Sequence, residues 1–194
     1  MELIEITPGI LQVPARLRNT HARAHAYILT DCHAVVEPAH WPPVELDWWV
    51  ETVRRFEILR IILTHHHMDH TIGMQELQDA TGIEVWSPPR GAPTEFTPHQ
   101  KYRIDRELHE GDVIGKWQVI DLPGHDYTQI GLWDGRSALV ADAIAVGTGL
   151  PVDLRASFRR LVKLDPEIVL PAHGAVFLDH TFEFCARLML SGLL

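Results

Sequence analysis

The chain has 194 residues, 46% of them apolar, with 26 acidic against 17 basic side chains and a formal charge of −9. That size suits one domain with a substantial core, and the apolar fraction excludes a disordered chain. The acidic surplus disfavours nucleic acid and anionic membrane as partners, because phosphate is neutralised by surplus Lys and Arg.

No apolar run is long enough to span a bilayer. Met1-Glu2-Leu3-Ile4-Glu5 has neither the basic segment nor the apolar core of an export signal, so a cytoplasmic protein is expected. Cys32 and Cys185 lack a Cys-x-x-Cys spacing and read as free thiols in a reducing compartment.

In chain order, Leu3–Ile6 and Ile10–Val13 read as strands around the turn Thr7-Pro8-Gly9. A polar stretch from Ala15 to Ala24 precedes further strands at His25–Leu29 and Ala34–Val36, giving an antiparallel meander. The period then changes: Val44, Trp48, Trp49, Val53 and Phe56 share one face of a helix. The run Leu59–Leu63 suits a buried strand. Ile72–Ala80 reads as a helix ending near Gly82, followed by a strand Ile83–Trp86, and residues 87–101 as a long Pro-rich loop. Strands follow at Trp117–Leu122, Gln129–Trp133 and Ala138–Val140. The spacing of Leu154, Phe158, Leu161 and Val162 predicts a helix over 153–164, stopped by Asp165-Pro166. A strand at Glu167–Leu170 and a helix over Thr181–Leu190 close the chain. Strands then helix, twice over, predict an α/β (α+β) fold of two sheets with helices on their outer faces.

The decisive segment is Thr64-His65-His66-His67-Met68-Asp69-His70, directly after Ile61-Ile62-Leu63. His65, His67, Asp69 and His70 form a His-x-His-x-Asp-His pattern at the end of a buried strand, which packing does not explain. His125 follows the strand ending at Leu122, Asp142 follows Val140-Ala141, and His173 follows Leu170-Pro171-Ala172. Small neighbours such as Gly124, Ala141 and Gly174 let the backbone crowd there. Five imidazoles and two carboxylates suit zinc first, with iron or manganese also accommodated. One zinc takes three or four protein ligands, so seven groups point to two divalent metals, with one carboxylate between them.

These motifs, Thr64-His65-x-His67-x-Asp69-His70, Pro123-Gly124-His125, Ala141-Asp142 and Leu170-Pro171-Ala172-His173-Gly174, resemble those of the metallo-β-lactamase fold superfamily, in particular its glyoxalase II-like hydrolases. Ser157–Leu161 through Leu164-Asp165-Pro166 resembles the helix that precedes the last ligand. The resemblance spans about residues 3 to 190 and implies an αββα sandwich of two mixed β-sheets, one domain over residues 1–194 with no extra C-terminal substrate domain. It assigns His65, His67 and His125 to one metal, Asp69, His70 and His173 to the other, and Asp142 to the bridge. Glu37 of Val36-Glu37-Pro38-Ala39 stands where the family has an Asp-Thr-Gly-like turn and takes over its supporting task. True β-lactamases of this fold carry Cys or Ser in place of Asp142, which argues against lactam hydrolysis.

The implied reaction is attack of a metal-bridging hydroxide on the carbonyl of an ester, thioester or lactone, with metals ~3.5–4 Å apart. Asp69 is the catalytic residue, orienting the nucleophile and passing its proton onward. Tyr27, Tyr102 and Tyr127 are the candidate oxyanion donors. The flap Arg16–Arg23, with Arg16, Arg18 and Arg23, together with Tyr127, is the expected contact for a small, anionic substrate. His21 and His25 read as flap residues rather than ligands. Two competing enzymes share the motifs: an iron-dependent persulfide dioxygenase with a single iron, and a phosphodiesterase, which the charge disfavours. A metal-stabilised binding module is the non-enzymatic alternative. Sequence leaves the oligomeric state open.

Overall fold

The computed structural model describes residues 1–15, 17–18, 21–91, 97, 101–144 and 154–182; for 17–18 and 21–22 it describes the backbone alone. The chain divides into two compact units, Met1–Leu108 and His109–Leu194.

The first unit contains β1 (Ile4–Thr7), β2 (Ile10–Val13), the hairpin β3 (Leu17–Arg18) and β4 (His21–Ala22), β5 (Ala26–Leu29), β6 (Ala34–Val36), α1 (Leu46–Arg55), β7 (Arg60–Ile62), α2 (Met68–Thr71), α3 (Met74–Thr81), β8 (Glu84–Ser87) and β9 (Arg106–Glu107). Its main sheet runs β1-β2-β5-β6-β7-β8-β9. The first four of these strands pair antiparallel, as tight turns allow. From β6 onward the pairing is parallel, helices carrying the chain back from β6 to β7 and from β7 to β8.

Helix α1 buries Trp49 and Val53 and exposes Asp47, Glu51, Arg54 and Arg55. Its acidic first turn and basic last turn complement the helix dipole. Val44, expected on the buried face, lies ahead of the helix and is 76% exposed, because the helix begins only after Pro42-Pro43. Trp49, Val53, Met74 and Leu77 pack on Ile28, Val35, Ile61 and Val85 of the sheet. The central strands β5, β6 and β7 are buried almost throughout, which is why β5 and β6 read as apolar runs and β7 as Ile61-Ile62 after a half-buried Arg60.

The second unit contains β10 (Val113–Ile114), β11 (Trp117–Asp121), β12 (Ile130–Trp133), β13 (Ser137–Ala141), α4 (Leu154–Leu164) and β14 (Ile168–Pro171), with sheet order β10-β11-β12-β13-β14. All neighbours are antiparallel except β13 and β14, which α4 connects. Leu154, Phe158 and Leu161 bury one face of α4 against Ile120, Val140 and Val169.

Both sheets are thus mixed and flanked by helices, as expected. The strands β3, β4, β9 and β10 were not anticipated, since two residues carry no readable period. Nor was α2, a single helical turn inside the histidine cluster. Thr181 and Phe182 are helical; the rest of the expected closing helix, 183–190, and most of the 87–101 loop lie outside the described residues.

Candidate metal centre

Strand direction explains where the ligands gather. In the first unit, β6 and β7 are parallel, with Val36 opposite Ile62, so both emerge at the same edge. Glu37 leaves β6 there, its N–H donating to Ile62 O at 3.0 Å, and Thr64 and His65 leave β7 beside it. In the second unit, β11 and β13 both run antiparallel to β12 and therefore share a direction. Parallel pairing of β13 with β14 sets Ala141 opposite Pro171, and Ala172 N–H donates to Ala141 O at 3.0 Å. His125, Asp142 and His173 consequently leave three strand ends on one side of one sheet.

The first set comprises His65, His67, Asp69 and His70. The ring centroids of His65 and His67 are 4.6 Å apart, and those of His65 and His70 4.1 Å. Asp69 Oδ2 is 3.5 Å from His70 Nε2, and its side chain is 36% exposed whereas His70 is fully buried. The turn α2 follows His67 and is steadied by the Thr71 hydroxyl, which donates to His67 O at 2.9 Å. Ala24 N–H holds the chain at Asp69 O, 3.1 Å away.

A carboxylate beneath these rings sets their orientation. Glu37 is 1% exposed and adopts a left-handed backbone, φ 51°. Its Oε1 accepts a short hydrogen bond from the Thr64 hydroxyl and one from Thr64 N–H at 3.3 Å. Since the hydroxyl proton goes to the carboxylate, the Thr64 oxygen is left to accept from His65 Nδ1, 3.1 Å away. The other carboxylate oxygen, Oε2, lies 3.0 Å from His70 Nδ1. Both imidazoles are thereby held by Nδ1 and present Nε2, the arrangement in which an outer carboxylate orients metal-binding histidines.

In the second set, Asp142 is 4% exposed. Its Oδ2 lies 3.1 Å from His125 Nε2 and its Oδ1 3.6 Å from His173 Nε2. One buried carboxylate thus offers a separate oxygen to each of two imidazoles. Imidazole nitrogens and carboxylate oxygens at these spacings fit divalent transition metals.

The remaining candidates separate. Arg23, expected to be a flap cation for substrate, is corrected: it is 2% exposed. It donates to Ala39 O at 2.8 Å and pairs with Glu45 at 3.1 Å. It holds the segment that follows Glu37 and has no surface to offer an anion. Arg16 and the Arg18 side chain lie outside the described residues. Tyr127 is 90% exposed on a turn where Asp126 Oδ1 accepts from both Thr128 N–H and Thr128 Oγ1, each at 2.7 Å.

Tyr27 and Tyr102 are buried, their hydroxyls engaged by Gln12 and His66 respectively, and burial pushes both phenols well above their ordinary range. The expectation that either donates to a substrate oxyanion is corrected, because Tyr27 is 1% and Tyr102 3% exposed. His25 accepts from Ala15 N–H at 2.7 Å, a structural task. Thr64 and His66 are the residues to which sequence reading assigned no role at the site, and Tyr102 takes a role other than the expected one. For Thr64 the signal was present: a hydroxyl placed between an apolar strand and an imidazole cluster.

A sequence profile of the metallo-beta-lactamase superfamily matches residues 23–173, which include every ligand candidate. The chain belongs to the metallo-β-lactamase superfamily. Among relatives in this superfamily, the hydroxyacylglutathione hydrolase of Cereibacter sphaeroides is 34% identical over 147 residues, covering 70% of this chain and 55% of its own. That of Methylobacillus flagellatus is 26% identical over 171 residues, covering 84% and 60%. The chain therefore spans between about half and three fifths of the length of these relatives. A metallo-beta-lactamase family protein from Thermus thermophilus superposes with a TM-score of 0.73 at 17% identity, over 97% of this chain and 80% of its own. A second solved structure, TTHA1623 in a di-iron-bound form, gives a TM-score of 0.62 at 24% identity over 80% and 89%. The superfamily fold accounts for the two mixed sheets with flanking helices.

Proposed function

We propose that this chain is a metal-dependent hydrolase that cleaves a thioester, ester or lactone at a dinuclear centre built from both ligand sets. His65, His67 and His125 would hold one metal, Asp69, His70 and His173 the other, and Asp142 would bridge. The observation that carries the reading is Asp142: a buried carboxylate with one oxygen toward His125 and the other toward His173 has the geometry of a bridging ligand. When bound, such a metal pair lowers the pKa of a shared water toward neutrality and polarises a carbonyl.

The chain's own residues supply the rest. Glu37 keeps the His65 ring, through Thr64, and the His70 ring, directly, aimed by Nε2. Asp69 has the more exposed carboxylate, suited to orient the attacking water and to carry its proton away. The relatives' name points to an acyl thioester as the first substrate class to try. Zinc is the metal we favour from the donor set. An anionic preference would rest on Arg16 and Arg18 now that Arg23 is committed elsewhere.

Elemental analysis of the purified protein, followed by a panel of thioesters, lactones and phosphodiesters, tests the reading. Two equivalents of metal are expected, with carbonyl substrates turned over and Asp69→Asn slower by about 100-fold or more. Hydrolysis that persists in metal-stripped protein, or oxygen uptake on glutathione persulfide without hydrolysis, would overturn it.

A further inference from the structure

We propose that His66, the middle imidazole of the cluster, is a positioning residue: pinned by Tyr102 and Pro88, it sets the backbone that spaces His65 and His67 for metal binding. The inference rests on the dinuclear reading for its consequence, though the clamp itself is built entirely within the first unit.

His66 is 3% exposed, and both ring nitrogens are engaged. Nε2 lies 3.0 Å from Pro88 O and Nδ1 2.9 Å from Tyr102 Oη. A carbonyl oxygen can only accept, so Nε2 carries the proton, and in the neutral ring Nδ1 accepts from the Tyr102 hydroxyl. The two rings lie nearly parallel, at 18°. Tyr102 is fixed in turn by Arg90, whose guanidinium carbon sits 4.7 Å from the ring centroid while Nη2 donates to Tyr102 O at 2.7 Å.

An imidazole with both nitrogens committed to protein has none to give a metal. Its two neighbours in sequence are the first two ligand candidates. The His65 and His67 rings come within 4.6 Å of each other, centroid to centroid, so an anchor at position 66 fixes the two peptide planes that join them. Thr64 and Glu37 orient the His65 ring from one side. The His66 clamp fixes the chain from the other, through Pro88 and Tyr102. Metal affinity should therefore depend on a phenolic hydroxyl that touches no ligand.

The test is cobalt(II) titration of chelator-stripped protein, followed by visible absorption, for the wild type, Tyr102→Phe, His66→Phe and His66→Gln. Tyr102→Phe and His66→Phe should each weaken cobalt binding about tenfold or more, the range seen when a group supporting a metal ligand is lost. His66→Gln keeps an N–H for Pro88 and an oxygen for the Tyr102 hydroxyl, and should bind within about threefold of wild type.

Wild-type affinity in both Phe variants would overturn the proposal, as would a Gln variant as weak as His66→Phe. Wild type that takes up no cobalt would instead sink the dinuclear reading. Nitrogen-15 NMR of the metal-free protein gives an independent readout: the Nε2–H tautomer is expected at His66, and an Nδ1–H tautomer would overturn the clamp.

Discussion

Glu37 shows how much one buried carboxylate can organise. It receives the Thr64 hydroxyl and faces His70 Nδ1, so a single negative charge holds two imidazoles, one directly and one through a hydroxyl. Glu37→Gln should lower metal affinity by about 10–100-fold, measured by competition with a chelator. Unchanged affinity would mean that the rings are held by other contacts.

His40 offers a different check. Its ring is fully buried, Nδ1–H donates to Pro38 O at 2.9 Å, and burial lowers its pKa from the ordinary 6.5. The Pro38 hydrogen bond, Glu45 and Glu76 oppose this with smaller effects, and Arg23 adds slightly to it. The unfolded chain therefore binds the proton more readily than the folded one below pH 6.5. Stability from this residue is complete above that pH and is lost as pH falls toward the folded value. His40→Gln should flatten the decline of the urea midpoint between about pH 6.5 and 5, and equal slopes would exclude His40 as its source. Gly73 is tied to the same ring: a Cβ there would lie 2.6 Å from His40 Cε1, at a φ of 82° that side chains rarely adopt.

At the level of elements, each ligand set follows from a parallel crossover of its own unit, β6–α1–β7 in the first and β13–α4–β14 in the second. A parallel pair ends at one edge, so residues distant in sequence become neighbours there without long loops. Helix α4 is also tied to the ligand-bearing turn, where Ser157 Oγ donates to Pro123 O at 2.7 Å. Ser157→Ala should cost about 1 kcal/mol by chemical denaturation.

A sharper test lies in β12. Gly131 sits so close to its neighbours that a Cβ would come within 2.5 Å of Leu139 O and 2.6 Å of Leu122 Cδ1. Because backbone blocks one of these directions, Gly131→Ala should destabilise by roughly 1–3 kcal/mol. A neutral result would mean that the β11–β12–β13 sheet yields more readily than a packed core should.

For the whole molecule, charge and metal are coupled. The chain carries a formal −9, and the proposed centre concentrates carboxylates among imidazoles that must be neutral to bind metal. A metal held by the folded protein alone should raise stability by about 2.7 kcal/mol when free metal is 100 times its dissociation constant. Chelation should lower Tm, re-addition of zinc should restore it, and a Tm indifferent to chelator would contradict a metal centre in the native state. Among the described residues no helix is long and apolar enough to cross a membrane.

The sequence by itself determined the larger elements and the donor chemistry. Buried apolar runs such as Ile61-Ile62-Leu63 and the 3.6-residue period of Leu154, Phe158 and Leu161 are local patterns enforced by burial, so they can be read before the fold is known. The crowding of His65, His67, Asp69 and His70 within a few positions is equally local. Only the tertiary structure decided which polar groups are spent inside. Arg23 looked like a surface cation and is a buried tie for Ala39 and Glu45; His66 looked like its neighbours and is held by Tyr102 and Pro88. Those fates depend on partners far away along the chain, which must satisfy any polar atom that leaves water, and one-dimensional patterns carry no record of that pairing.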